Sequence, residues 1–308
     1  MVLDCAVIGG GPAGLNASLV LGRSKRKTVL FDDNKPRNAV VAEAHGFITR
    51  DGINPQELKR IGQEELKAYP NVSIVKQRVA AINKVDDQFQ IEAEDGSVFF
   101  SKKVILATGF KEILPDIEGV ERYYGTSLFS CPFCDGWELK DRPLAVISEN
   151  PKAVHMAKVV YNWTEDLIVC TNGKKSLSEI EKTLLESKGI KTFEQEIQSL
   201  IGETGQLQKI EFKDGTAVLV EGGFITPEWV PATNFGASLG CKLNALGGIE
   251  VDSMGRTNIE GVFACGDALI TGASQLIIAA AEGSKAAIGV NAAFIEENFM
   301  SPVSALSD

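Results

Sequence analysis

The stretch Gly9-Gly10-Gly11-Pro12-Ala13-Gly14 constrains this chain more than any other. It follows a short apolar run, Cys5-Ala6-Val7-Ile8, and opens a helical pattern from Leu15 to Leu21. A second apolar run, Thr28-Val29-Leu30-Phe31, comes next and is closed by Asp32-Asp33. Strand, glycine turn, helix and strand predict a Rossmann-type unit. Gly9 allows the tight turn, Gly11 lets backbone approach a pyrophosphate, and Gly14 lets helix and strand pack closely. The helix N-terminus then faces the phosphates, and the acid at the end of the second strand meets a ribose hydroxyl. A glycine-rich turn without a ligand is the competing reading. Strand, helix and terminal acid together argue against it, but the motif does not separate FAD from NAD.

Further along, residues 54–68 read as a helix with Pro55 near its start, and 72–82, 88–93 and 97–100 as strands, with Asp95-Gly96 as a hairpin turn. Val104 to Ala107 reads as a buried strand leading into Thr108-Gly109. Beyond Pro115 a second strand–helix–strand unit is expected: Leu144 to Ile147, Ala153 to Tyr161 and Leu167 to Cys170. A helix over 176–188 and strands near 207–212 and 217–220 complete it. The run Gly261-Val262-Phe263-Ala264-Cys265-Gly266-Asp267 precedes a long Ala-rich helix from 274 to about 296, whose start near Ser274-Gln275 offers N–H groups to a flavin carbonyl. The tail from Met300 reads as polar and frayed. The 308 residues suit two domains at roughly 150 residues each.

A net charge of −10 argues against nucleic acid as the main partner, although Arg23, Lys25, Arg26 and Lys27 form a local basic run. No apolar run reaches the ~20 residues of a membrane span. The longest, Leu276 to Ala281, ends at Glu282, and Met1 to Ile8 has no basic leader. A cytoplasmic protein with no membrane partner is expected, in a compartment where structural disulfides are rare. Of the six cysteines only Cys131 and Cys134 are closely spaced. Half a zinc site would need two more ligands. Cys170, Cys241 and Cys265 are isolated and His45 and His155 lie far apart, so no metal is expected. A redox-active dithiol is the better reading. A helix start favours thiolate, Pro132 fixes the backbone, and Phe133 and Trp137 are expected to supply an apolar surround.

In combination, Gly9-x-Gly11-Pro12-Ala13-Gly14, Ala107-Thr108-Gly109, Cys131-x-x-Cys134-Asp135-Gly136 and Gly261-Val262-Phe263-Ala264-x-Gly266-Asp267 resemble, in order and over nearly the whole chain, the low-molecular-weight thioredoxin reductase family. Asp32-Asp33-x-x-Pro36-Arg37-Asn38, His45-Gly46-Phe47 and Cys131-Pro132-Phe133-Cys134-Asp135-Gly136-Trp137-Glu138 are similar to its branch of fungal and bacterial dithiol oxidases. The resemblance implies an α/β chain of two Rossmann-like three-layer domains. The FAD-binding domain is discontinuous (1–112 and 226–308), and a smaller domain carrying the CxxC (113–225) is inserted. It implies FAD contacts at Gly9, Gly11, Pro12, Ala13, Gly14, Asp32, Asp33, Asn38, Thr108, Gly109, Gly266, Asp267, Ser274, Gln275 and Leu276. His45 is a further candidate, where the family often places an Asn near the flavin. Cys134 would face the flavin, Cys131 would exchange with the substrate disulfide, and Asp135 would move the thiol proton. A homodimer is implied, with a thioredoxin-like protein or a small-molecule disulfide or dithiol as partner.

One family feature is missing. The inserted domain of a standard member binds NADPH through a second GxGxxA turn and a His-Arg-Arg cluster. Here the turn after Leu144 to Ile147 is Ser148-Glu149-Asn150-Pro151-Lys152-Ala153, without glycine and with an added negative charge. The next strand ends in Thr171-Asn172-Gly173-Lys174-Lys175, without arginine. Loss of ordinary NADPH binding is expected. Ferredoxin-linked members that similarly lack these motifs suggest a ferredoxin or flavodoxin donor. Three functions compete: a flavin disulfide reductase with another donor, an oxygen-dependent dithiol oxidase running the same chemistry in reverse, and a non-catalytic flavin redox sensor. Cys-x-x-Cys-Asp matches the reductases, because several oxidase relatives place a His after the second Cys.

Overall fold

The computed structural model describes residues 2–272 and 274–300, so the tail reading beyond Met300 falls outside the described residues. The chain divides into two compact units. The first runs through Ala39, resumes from Pro55 to Lys111 and again from Trp229 onward; the second comprises Val40–Asn54 and Glu112–Glu228.

In the first unit, strand β1 (Val2–Ile8) feeds helix α1 (Pro12–Arg23), strand β2 (Thr28–Phe31) and helix α2 (Pro55–Leu66). Four strands follow: β3 (Val72–Val75), β4 (Val79–Val85), β5 (Gln88–Ala93) and β6 (Val98–Leu106). Among the described residues they form a sheet in the order β3-β2-β1-β6-β5-β4, with Val262–Ala264 also paired to β6. The pairs β3-β2, β2-β1 and β1-β6 are parallel, as is the Val262–Ala264 pair with β6, and β4-β5-β6 is an antiparallel meander. Ala6, Val7, Val104, Ile105 and Leu106 are fully buried, as near-continuous apolar runs in parallel strands require. The expected single strand 72–82 is two, β3 and β4, which pair with different neighbours.

The C-terminal helix, Leu276–Met300, packs on α1. A Cβ at Gly283 would lie 2.0 Å from the Ala13 carbonyl oxygen, so backbone meets backbone there. By length and composition Leu276–Phe299 could cross a membrane, with a third of its most apolar window buried. This corrects the expectation that no segment reaches that size. Glu282 and Lys285 interrupt the apolar run and lower its mean hydropathy, but the isoleucines, valine and alanines around them keep the helix apolar on average. One side of it, with fully buried Ala286, Ala287 and Val290, lies in the core of the first unit together with α1.

The second unit holds, among the described residues, a parallel sheet in the order Lys191–Phe193, Leu167–Cys170, Leu144–Ile147, Gly223–Ile225, Leu128–Phe129. Helix Ala153–Val160 connects the expected second strand–helix–strand unit. Helix Glu179–Glu186 is shorter than expected because Ser178 and Glu181 close a capping box at its start. Three antiparallel strands, Ile197–Glu203, Gln206–Phe212 and Ala217–Leu219, complete the unit.

Residues Val40–Asn54, expected within the first FAD segment, belong to this second unit. The excursion is closed by a bridge between Ala44 and Ile53. The Val40 carbonyl packs where a Cβ on Gly125 would lie only 2.4 Å from it. Such a contact, far apart in sequence, leaves no periodic signal.

Candidate functional site

In the first unit three motifs meet at the carboxyl ends of β1, β6 and Val262–Ala264. Gly9 has φ +115°, and a Cβ there would lie 2.2 Å from the Ala107 carbonyl oxygen. Only glycine allows that turn. At Gly14 a Cβ would sit 1.8 Å from the Gly9 carbonyl oxygen, which is the helix–strand approach the spacing predicts. Gly11, the N-cap of α1, has no side-chain cap and faces open space. A helix N-terminus with room above it fits a pyrophosphate. Gly266 packs on Ala13, where a Cβ would come within 2.7 Å of the Ala13 Cβ, and Cys265 N–H donates to the Leu106 carbonyl. The Ala107-Thr108-Gly109 strand end lies beside them. A cavity lined by Phe110, Trp229, Gly266, Asp267, Ser274 and Ile278 adjoins the turn. The glycine turn and the uncapped N-terminus of α1 therefore fit the pyrophosphate of a dinucleotide.

Two acids of this region already have partners. The Asp32 carboxylate is buried and accepts from Lys59 Nζ at 2.7 Å, from Gln63 Nε2 at 2.8 Å and from Asn34 N–H at 3.0 Å. Asp33 is exposed, and its carboxylate accepts the Lys35 N–H at 3.2 Å. Of the two it is the freer ribose acceptor. Asp267 accepts from Ser274 Oγ at 2.8 Å and from Arg37 Nη2 at 3.1 Å, and Arg37 also donates to Ser274 Oγ at 2.7 Å. The Arg37 guanidinium lies 4.5 Å over Phe110, which stacks on Trp229 at 4.7 Å. Lys59 and Arg37 escaped the sequence reading. Lys59 sits in a helix that reads as charged surface, and Arg37 acts over 230 positions. Asn38 stands next to Arg37, and Gln275 and Leu276 at the start of the C-terminal helix.

In the second unit Cys131 and Cys134 form a disulfide with Cα atoms 5.3 Å apart. The expected helix is a single turn, Pro132–Asp135, in which Cys134 and Asp135 N–H both donate to the Cys131 carbonyl. So short a helix supplies little dipole. Phe133 and Trp137 are 69% and 67% exposed rather than an apolar surround. Phe133 meets Trp163 edge-on, and Lys140 Nζ lies 3.2 Å from the Trp137 ring centroid. Burial pushes the Asp135 carboxyl up to about 7; Glu138 acts in the same direction and His45 opposes them. His45, proposed by resemblance for the flavin, lies in this dithiol-bearing unit rather than in the glycine cluster. The other described cysteines, Cys5, Cys170, Cys241 and Cys265, are buried and unpaired by disulfide.

The turn that would hold a second nucleotide is filled by its own side chains. Thr226 Oγ1 donates to Ser148 Oγ at 2.7 Å, and Lys152 N–H donates to Asn150 Oδ1 at 3.0 Å. Asn172 Nδ2 donates to Glu149 Oε1 at 2.5 Å, while Asn172 Oδ1 accepts the Ile197 N–H at 2.8 Å. Lys174 and Lys175 are exposed.

Residues 3–283 match the model of the pyridine nucleotide-disulphide oxidoreductase family. A thioredoxin reductase TrxB structure from Bacillus anthracis is similar, with 47% identity and a TM-score of 0.93 over 96% of this chain and 100% of that one. The Aspergillus oryzae thioredoxin reductase aclD is 31% identical over 94% of this chain and 95% of its own. A thioredoxin reductase of Helicobacter pylori is 27% identical, over 94% and 98% respectively. With two Rossmann-like sheets and a CxxC disulfide, the chain belongs to the pyridine nucleotide-disulphide oxidoreductases, as a low-molecular-weight thioredoxin reductase-like, flavin-dependent disulfide oxidoreductase.

Proposed function

We propose that this protein passes electron pairs between FAD and the Cys131/Cys134 dithiol, and on to a protein or small-molecule disulfide, without ordinary NADPH binding. The observation that carries the reading is the turn Ser148-Glu149-Asn150, whose hydrogen-bonding groups are satisfied within the protein and whose carboxylate would face phosphates. Bound FAD supplies reversible two-electron chemistry. Gly9, Gly11 and Gly14 would admit its pyrophosphate, Asp33 its ribose and the Asp267–Arg37–Ser274 cluster its central chain. The disulfide takes up two electrons and two protons to become the dithiol. In the return step a Cys131 thiolate attacks the substrate disulfide, expelling one substrate thiolate. Cys134 then displaces the second and restores the Cys131–Cys134 bond. Asp135, with its carboxyl near neutral pH, holds or releases the Cys134 proton.

A ferredoxin- or flavodoxin-type donor, a thioredoxin-like acceptor, a homodimer and a cytoplasmic location complete the proposal. Buried free thiols at Cys5, Cys170, Cys241 and Cys265 support a reducing compartment, and exposed Ile288, Ile295 and Phe299 on the C-terminal helix support self-association. Reverse flow, from a small dithiol to oxygen, is the second reading, favoured by exposed Phe133 and Trp137 beside the disulfide as an apolar landing site. Anaerobic mixing of the FAD-loaded protein with micromolar NADPH tests the first reading. Slow or absent bleaching is expected; rapid, complete bleaching overturns it. Oxygen uptake with a dithiol, and none with reduced ferredoxin, selects the second.

A further inference from the structure

The segment Val40–Asn54 carries one functional side chain to the dithiol turn. Its ends are tied by Ala44 N–H donating to the Ile53 carbonyl at 2.8 Å, and its tip by Gly46 N–H donating to Asp51 Oδ1 at 2.8 Å. His45 projects from this loop with only 17% of its side chain exposed. Its Nδ1 lies 3.6 Å from Asp51 Oδ1, and its Nε2 lies 3.7 Å from both Glu43 Oε2 and Glu138 Oε1. These distances are too long for hydrogen bonds and act as charge contacts. Three carboxylates thus converge on one imidazole. Two come from its own loop, and the third stands three residues beyond Asp135 on the dithiol turn.

Neighbouring cations are engaged elsewhere. Lys140 lies over the Trp137 ring, and Arg50 donates to the Thr49 carbonyl. We infer that His45 is a positioning residue of the dithiol centre: its imidazole, seated among Glu43, Asp51 and Glu138, favours the carboxylate of Asp135 and so lets that acid exchange its proton with the Cys131/Cys134 pair. The inference rests on the redox reading of that pair.

Its logic is electrostatic. Asp135 is desolvated and has Glu138 on the same turn, and both disfavour the carboxylate. Among the described residues His45 is the one side chain found to act on Asp135 against them. An acid held in its neutral form gives up its proton reluctantly and, until it has done so, cannot accept one. A neighbour that favours the carboxylate lets the proton pass both ways. The loop, otherwise an excursion of the chain, acquires a purpose in delivering that neighbour.

The test is a carboxyl-carbon NMR titration of Asp135 in the oxidised, FAD-loaded protein. Asp135→Asn identifies its signal. His45→Gln is expected to move the Asp135 midpoint upward, by about one pH unit for a lost charge contact in a partly desolvated site. His45→Lys, which places a fixed positive charge there, is expected to restore most of the shift. Glu138→Gln is expected to move the midpoint downward, which keeps the idea testable even if the His45 variants fold poorly. An unchanged midpoint in His45→Gln, or equal shifts in the Gln and Lys variants, overturns the inference. The titration needs no turnover, so failure of the redox reading, seen as a flavin that takes up equal reductant with and without Cys131, is distinguishable from failure here.

Discussion

The hydroxyl of Thr226 donates to Ser148 Oγ at 2.7 Å, across the turn where a second dinucleotide would need bare backbone. Beside it, Glu149 is held by Asn172. Glu149→Gly removes both the charge and this tie. NADPH binding, read by calorimetry, is expected to be weak in the natural protein and several-fold tighter in the variant, because one repulsion near two phosphates is gone. Equal affinity would mean that the turn is not what excludes the nucleotide.

Asp32 and Lys59 form a buried ion pair with side chains 5% and 8% exposed. Lys59→Met leaves the carboxylate buried with Gln63 and the Asn34 N–H but without a counter-charge. Loss of such a partner costs about 3–5 kcal/mol. Urea unfolding of the protein without cofactor is expected to show that loss, and Asp32→Asn combined with Lys59→Met to recover most of it.

Because the Asp135 carboxyl is raised to about 7, its neutral form is the one the fold favours. Its contribution to stability is full below the ordinary carboxylate range and is lost as pH rises through about 7. Relative to Asp135→Asn, the natural protein is therefore expected to lose stability between pH 4 and 8. Up to about 4 kcal/mol is at stake, reduced by solvent screening. Thermal melts of both proteins across that range check the sign.

Arg37 joins Asp267, Ser274 and Phe110 in the first unit. Arg37→Met is expected to weaken FAD retention roughly ten- to a hundredfold, the range for one charge-assisted hydrogen bond lost from a site. Flavin fluorescence after gel filtration measures it, and Arg37→Lys should be intermediate.

Much of this was legible in the sequence where the physics is local. The glycine turn announces itself because Gly14 answers to the Gly9 carbonyl within one strand–helix–strand unit, although Gly9 itself answers to Ala107 far along the chain. The buried strands Val104–Leu106 and Leu144–Ile147 read as apolar runs because parallel strands are covered on both faces. Pairings across the chain were not legible. Lys59 looks like surface until Asp32 is placed against it, and Arg37 reaches a residue 230 positions away. Strands Lys191–Phe193 and Ile197–Glu203 are short or carry polar side chains outward, so no period marked them. His45 could be named but not located, since Val40–Asn54 leaves its own stretch of chain for the other unit.

The proposed function depends on flavin and the Cys131/Cys134 disulfide sharing electrons. Anaerobic dithionite titration of the FAD-loaded protein, followed at the flavin absorbance, tests it directly. The natural protein is expected to consume about twice the reductant of Cys131→Ser before full bleaching, since disulfide and flavin each accept one electron pair. Equal consumption by the two proteins would contradict the account.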